Sequence, residues 1–189
     1  PQKLSRNIDS WELWTSPDLL LAQTCSTPYR EALFKNTIYI GTPDYKLPNC
    51  PPGYYNSIII GQSGLSFSQL KTGIFGYNDK FSHSGWTAPR NHFKKLDISP
   101  EKTIKTGSHR SSAQAVADGQ IEFAAIDAQS WRFIKKYDKF ANKIKVFDQT
   151  EPTPGLPLIT SKPGLKDKLF CAIKKAIQAL SDQDRSLLY

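Results

Sequence analysis

Three short polar signals stand where apolar runs end, and each could engage an anion. Phe81-Ser82-His83-Ser84-Gly85-Trp86 follows a run ending near Tyr77 and opens a helix-period stretch from Trp86 to Leu96. A helix start offers unpaired amides and a partial positive charge, and small hydroxyl side chains beside it add donors. Ser82, His83, Ser84 and Gly85 could therefore cradle a tetrahedral oxyanion, or serve as a serine cap with a permissive glycine. Thr106-Gly107-Ser108-His109 repeats the arrangement at the next strand end. There His109 could donate to an anion in either neutral tautomer, and twice when protonated, or play a structural part. Asp127 closes the apolar run ending at Ile126. It could face whatever occupies the carboxyl end of that strand, or cap a helix beginning at Ala128. Tyr54 and Tyr55, after Pro51-Pro52-Gly53, could cover a ligand and donate a hydroxyl, or pack a hinge. Gln23 and Thr24, after Leu19 to Ala22, are the equivalent candidates earlier in the chain.

A hydrolytic reading would make Ser84 a nucleophile, His109 its base and Asp127 the orienting acid. No Gly-x-Ser-x-Gly elbow, Gly-Lys-Ser/Thr phosphate loop or Gly-x-Gly-x-x-Gly fingerprint occurs, and Gly61-Gln62-Ser63-Gly64 has the wrong spacing. A serine beside an anion-binding helix end is more simply a ligand donor, so the chain reads as a binder and not an enzyme. Three cysteines without Cys-x-x-Cys or Cys/His spacing give no metal site, and no cofactor is expected. Cys25 and Cys50 lie in turn-like segments where a bridge is feasible in an oxidising compartment, and two unrelated thiols fit as well. Cys171 reads as core filler on the apolar side of a helix.

The elements that must position these residues follow from periodicity. With 189 residues and 39% hydrophobic content the chain has enough for one compact domain or two small lobes. Short apolar runs alternate with helix-period segments, an α/β pattern expected to give mostly parallel sheets flanked by helices. The expected strands are Leu19 to Ala22, Thr37 to Ile40, Ser57 to Gly61, Gly73 to Tyr77, Thr103 to Thr106, Ile121 to Ile126 and Ile144 to Phe147. The clearest helix is Ser112 to Asp118, stopped by Gly119. Leu169, Ile173, Ala176 and Leu180 then recur at helical spacing, and Ser181 with Asp184 looks like a capped start to a last short helix. Proline-rich stretches at Pro48 to Gly53 and Thr150 to Pro157 read as crossings, giving lobe I over residues 1–54 and 151–189 and lobe II over 55–150. Such a geometry puts a ligand cleft between lobes.

The formal net charge of +8 favours anionic ligands, nucleic acid or an acidic membrane surface. Six cations lie between Arg132 and Lys145 and read as a solvated face, so no nucleic-acid partner is expected. No run approaches the roughly 18 apolar residues of a membrane span, so no stable membrane insertion is expected either.

Read in order, Asp18 to Cys25, Gly41-Thr42-Pro43-Asp44-Tyr45, Cys50 to Tyr55, Ser82 to Trp86, Thr106 to His109, Ala117-Asp118-Gly119, Ala125-Ile126-Asp127 and Thr153 to Pro157 run through nearly the whole chain. On these segments the chain resembles the phosphate/phosphonate substrate-binding proteins of ABC transporters, of the type 2 periplasmic binding fold. The resemblance implies a periplasmic protein that captures a small phosphorus oxyanion by lobe closure and hands it to an ABC transporter permease. It also implies that Ser82, Ser84 and the amides from His83 to Trp86, Gly85 included, grip the oxyanion. His109 and Tyr55 are then further donors, and Asp127 lies toward the ligand's organic end. Nothing before Trp11 matches the strand and helix with which family members usually begin, so lobe I is expected to be N-terminally incomplete. A ligand-sensing module or an enzyme on the same fold is the alternative.

Overall fold

A computed structural model of the chain describes residues 7–188. The first elements in chain order are α1 (Ser10–Thr15), β1 (Ala22–Gln23), α2 (Ser26–Pro28, continued by a π-helical turn over Tyr29–Leu33), β2 (Ile38–Gly41), β3 (Tyr54–Tyr55), β4 (Ser57–Gln62) and β5 (Ile74–Tyr77). They continue with α3 (Ala88–Lys95, entered through a π-helical turn over His83–Thr87), β6 (Lys102–Lys105), α4 (His109–Ala117), β7 (Phe123–Asp127), α5 (Ala128–Tyr137) and β8 (Ile144–Gln149). The last are β9 (Thr153–Pro154), β10 (Leu158–Thr160), α6 (Lys166–Gln178) and α7 (Asp182–Leu188). The chain divides into a terminal unit bounded by Pro43 and Gly155 and a central unit, Asp44–Pro154. These borders lie outside residues 54 and 150 because the short crossing strands pair with each other, Tyr54 with Pro154 and Tyr55 with Thr153, and stay with the central unit.

The central unit is built on a five-stranded sheet in the order β6-β5-β7-β4-β8. Ile59, Phe123 and Ala125 pack with Phe93 of α3 on one face, while Ile60, Ala124 and Ile126 pack with Val116 of α4 and Trp131 and Ile134 of α5 on the other. Neighbouring residues of one strand thus enter opposite cores, which is why these runs show no polar alternation. Full burial of each Ile or Phe side chain among them contributes about 1.5–3 kcal/mol before entropic costs.

In each of the two larger sheets the strands share one direction, as the expectation of mostly parallel sheets has it, apart from one reversed strand. β5 runs parallel to both β6 and β7, but β4 is antiparallel to β7 and to β8. In the terminal unit the order is β1-β10-β2, and β10 opposes both neighbours. The reversed strand in each sheet is the one that follows a crossing: β3 leads through Asn56 into β4, and β9 leads into β10. A crossing strand fixes the direction of the strand it feeds, so no helical crossover turns the chain around before it enters the sheet.

Two readings of single segments change. Leu19 to Ala22 forms a strand only from Ala22, with Leu19 buried and Leu20 and Leu21 exposed. Cys171 is exposed and not core, because it lies 200° around the helix from the half-buried stripe of Leu169 and Ile173. All three cysteines are free. The last helix starts as its sequence suggests, the Asp184 amide donating to Ser181 Oγ at 3.1 Å.

Candidate functional site

β6, β5 and β7 are adjacent and parallel, so the segments that follow them emerge on one edge of the central sheet. After β5 comes a tight turn in which Asp79 Oδ1 accepts the Phe81 amide at 2.9 Å and the Asp79 carbonyl accepts that of Ser82. Ser82 then caps the π-helical turn, its Oγ accepting the Gly85 amide at 3.0 Å and its carbonyl the Thr87 amide at 3.1 Å. Single π-helical turns widen a helix and are frequent at functional sites. Glycine at 85 is required by a close approach: a β-carbon there would land on Asn78 Oδ1.

After β6, Gly107 takes a left-handed backbone (φ +90°) and donates its amide to the Asn78 carbonyl. This turn puts Ser108 in the cap position, where its Oγ accepts the Ser111 amide at 3.0 Å. The helix expected from Ser112 therefore begins three residues earlier, at His109. At the end of β7, Asp127 caps α5 by accepting the Ser130 amide at 2.7 Å.

These three segments bring Ser84 and His109 together, with a 3.0 Å hydrogen bond between Ser84 Oγ and His109 Nε2. His109 thus reaches the cradle through Ser84. His83 turns its Nε2 to Thr153 Oγ1 on β9 at 2.9 Å, and its ring centroid lies 5.9 Å from that of buried Tyr55 on β3. The crossing strands therefore hold the second residue of the Ser82–Gly85 segment, and all of Tyr55, Ser82, His83, Ser84 and Asp127 are buried.

Burial holds the His109 imidazole below its ordinary value of 6.5, while the Asp127 carboxylate and the Ala125 carbonyl pull the other way. Three buried polar atoms around these segments lack hydrogen-bond partners: Asn78 Oδ1, His109 Nδ1 and Asp127 Oδ2. An unsatisfied buried group costs about 1–3 kcal/mol, and such a cost is tolerated most readily where a ligand relieves it. His109 Nδ1 and Asp127 Oδ2 make no hydrogen bond to each other, and the Gly85 amide is already engaged by Ser82. Among the described residues no group of three or more His, Cys, Asp or Glu side chains could hold a metal ion.

Asn78 and Thr153 are the residues that sequence reasoning missed. Asn78 is the first polar residue after the apolar run ending at Tyr77, as Asp127 is after the run ending at Ile126, so the same rule reaches it. Thr153 sits in a proline-rich crossing and meets His83 from 70 positions away, so no local pattern marks it. Gln23 and Thr24 are engaged within the terminal unit, Gln23 Nε2 donating to the Leu156 carbonyl and the Thr24 amide to that of Pro157. Of the basic cluster, Lys135, Lys136, Lys139, Lys143 and Lys145 are exposed. Arg132 is half-buried instead and donates to the carbonyls of Tyr45 at 2.8 Å and Lys46 at 2.9 Å.

Comparison with known proteins adds three findings. A family model described as ABC transporter, phosphonate, periplasmic substrate-binding protein matches residues 31–189. No curated protein matches by sequence. Among solved structures, the binding protein component of an ABC phosphonate transporter from Pseudomonas aeruginosa superposes with a TM-score of 0.64 at 21% identity, over 80% of this chain and 54% of that one. PhnD1 from Prochlorococcus marinus, solved with methylphosphonate, gives 0.68 at 17% identity over 80% of this chain and 62% of that one. A Xanthomonas citri protein bound to ATP gives 0.62 at 14% identity over 88% of this chain and 73% of that one. The likeness shows the type 2 periplasmic binding fold, and the chain spans less than two thirds of the length of the first two.

Proposed function

The chain belongs to the phosphonate periplasmic substrate-binding protein family of ABC transporters, and from that premise we propose that it captures a small phosphate- or phosphonate-like anion for an importer. The family is one of transport proteins and not of enzymes, and among the described residues no helix is long and apolar enough to cross a membrane. In this reading the protein works outside the cytoplasm, in the periplasm, and its partner is an ABC permease.

The observation that carries the proposal is the hydroxyl of Ser84, buried at a capped helix start and held at 3.0 Å by a histidine from the next strand end. With its proton on Nε2, neutral His109 donates to Ser84 Oγ and leaves the hydroxyl proton for an oxyanion. Ser82 shapes the turn, the amides of its first residues supply further donors, and Gly85 keeps the backbone close to Asn78. His83 and Tyr55 brace the segment from the crossing strands. Asp127, with one oxygen on the α5 cap and the other unpartnered, accepts from a donor on the ligand.

A thermal-shift screen of phosphate, phosphite, methylphosphonate, aminoalkylphosphonates, sulfate and carboxylates tests this. A ligand at 100 times its dissociation constant stabilises the protein by about 2.7 kcal/mol. A shift selective for phosphorus oxyanions is the expected result; an equal response to sulfate and carboxylates, or none to any phosphorus compound, counts against the assignment.

A further inference from the structure

The central unit carries a concavity beside α3 whose lining includes none of Ser84, His109 and Asp127. Its volume is about 790 Å³, within the roughly 300–1,000 Å³ typical of small-molecule sites. Buried Phe75, Phe93 and Ile98 line it together with half-buried Trp86. The Phe93 ring meets that of Phe75 edge-on at 5.2 Å, and Trp86 stacks on Phe75 at 6.4 Å. Arg90 and Lys94, one helical turn apart on α3, also line the cavity and are exposed. The Arg90 guanidinium lies 4.9 Å from the Trp86 ring centroid. Among the described residues neither cation takes part in an ion pair, and Asp97 is the one carboxylate in the lining.

We propose that this cavity binds a small amphiphilic anion, its aromatic or apolar body against Phe75, Trp86, Phe93 and Ile98 and its sulfonate, carboxylate or phosphate head between Arg90 and Lys94. Half-buried Trp86, over the buried floor of Phe75, Phe93 and Ile98, gives an apolar body a surface to cover, which a bare inorganic oxyanion cannot use. Two uncompensated cations on the same helix face disfavour a neutral apolar guest and favour a negative head. An extended peptide fits less well, because the adjoining edge strand β6 carries exposed Lys102 and Lys105, a pattern that opposes strand addition.

The probe is 8-anilino-1-naphthalenesulfonate, which joins an aromatic body to one sulfonate, titrated by fluorescence against the wild type and two variants. Trp86 shares its helical turn with Ser84, so binding at the cradle is separated by Ser84→Ala. The expected result is saturable one-to-one binding, weakened about tenfold or more in Arg90→Gln/Lys94→Gln and unchanged in Ser84→Ala. Methylphosphonate binding stays intact in the double variant. Absence of saturable binding, equal affinity in the double variant, or loss in Ser84→Ala overturns the proposal.

Discussion

Alanine at position 85 sets two opposed effects against each other, and their balance reports the geometry of the cradle. Gly85 lies in a helical turn with ordinary backbone angles, so alanine by itself favours the helix by about 1 kcal/mol. Its β-carbon would land on Asn78 Oδ1 and come within 2.8 Å of Asn78 Cγ and 3.2 Å of Ser82 Oγ. Overpacking of this kind costs about 1–3 kcal/mol. In the wild-type background the two effects sum to a net destabilisation of roughly 0–2 kcal/mol. In an Asn78→Ala background the clash is gone, and the same Gly85→Ala change is expected to be neutral or stabilising by up to about 1 kcal/mol. Urea unfolding of the four proteins gives the coupling between the two positions, expected at about 1–3 kcal/mol. A coupling near zero would refute the argument that Asn78 is what reserves position 85 for glycine.

Other consequences concern His109 and Arg132. Because burial holds the folded-state His109 value below 6.5, the unfolded chain binds its proton first. Stability from this residue is complete above about pH 6.5 and is lost as pH falls from there through the lower folded-state value. Unfolding free energies measured from pH 7.5 to 5 are expected to fall less steeply in His109→Gln, and identical slopes would contradict the assignment. Arg132 fastens the segment around Lys46, whose backbone is left-handed (φ 48°), through bonds to two carbonyls. Arg132→Ala is expected to speed tryptic cleavage at Lys46 by about tenfold, from the loss of charge-assisted hydrogen bonds worth about 1.5–3 kcal/mol. An unchanged cleavage rate would remove that role.

What could be read from the sequence was local. Apolar runs ending in a polar residue gave the strand ends at Tyr77, Lys105 and Asp127 to within a residue or two, and three parallel neighbours then had to deliver Ser84, His109 and Asp127 to one edge. Caps were legible for the same reason, since Ser82, Asp127 and Ser181 act on amides three residues away. What stayed hidden depends on distant partners. β3 and β9 have two residues each and exist only because they pair with each other, so no period marks them. The reversal of β4 and β10 follows from those crossings and was invisible with them. The bond from His83 to Thr153 was hidden likewise, and the cap at Ser108 displaced a start expected at Ser112 because Gly107 folds the chain back onto Asn78.

Calorimetric titration of methylphosphonate into the wild type, Ser84→Ala and His109→Ala tests the central claim most directly. Removing a hydrogen bond to a charged partner costs about 1.5–3 kcal/mol. The wild type is therefore expected to bind saturably and each variant to bind more weakly by about tenfold or more, with far-ultraviolet circular dichroism unchanged. Equal affinity in all three proteins would contradict the placement of the oxyanion at the Ser82–Gly85 turn.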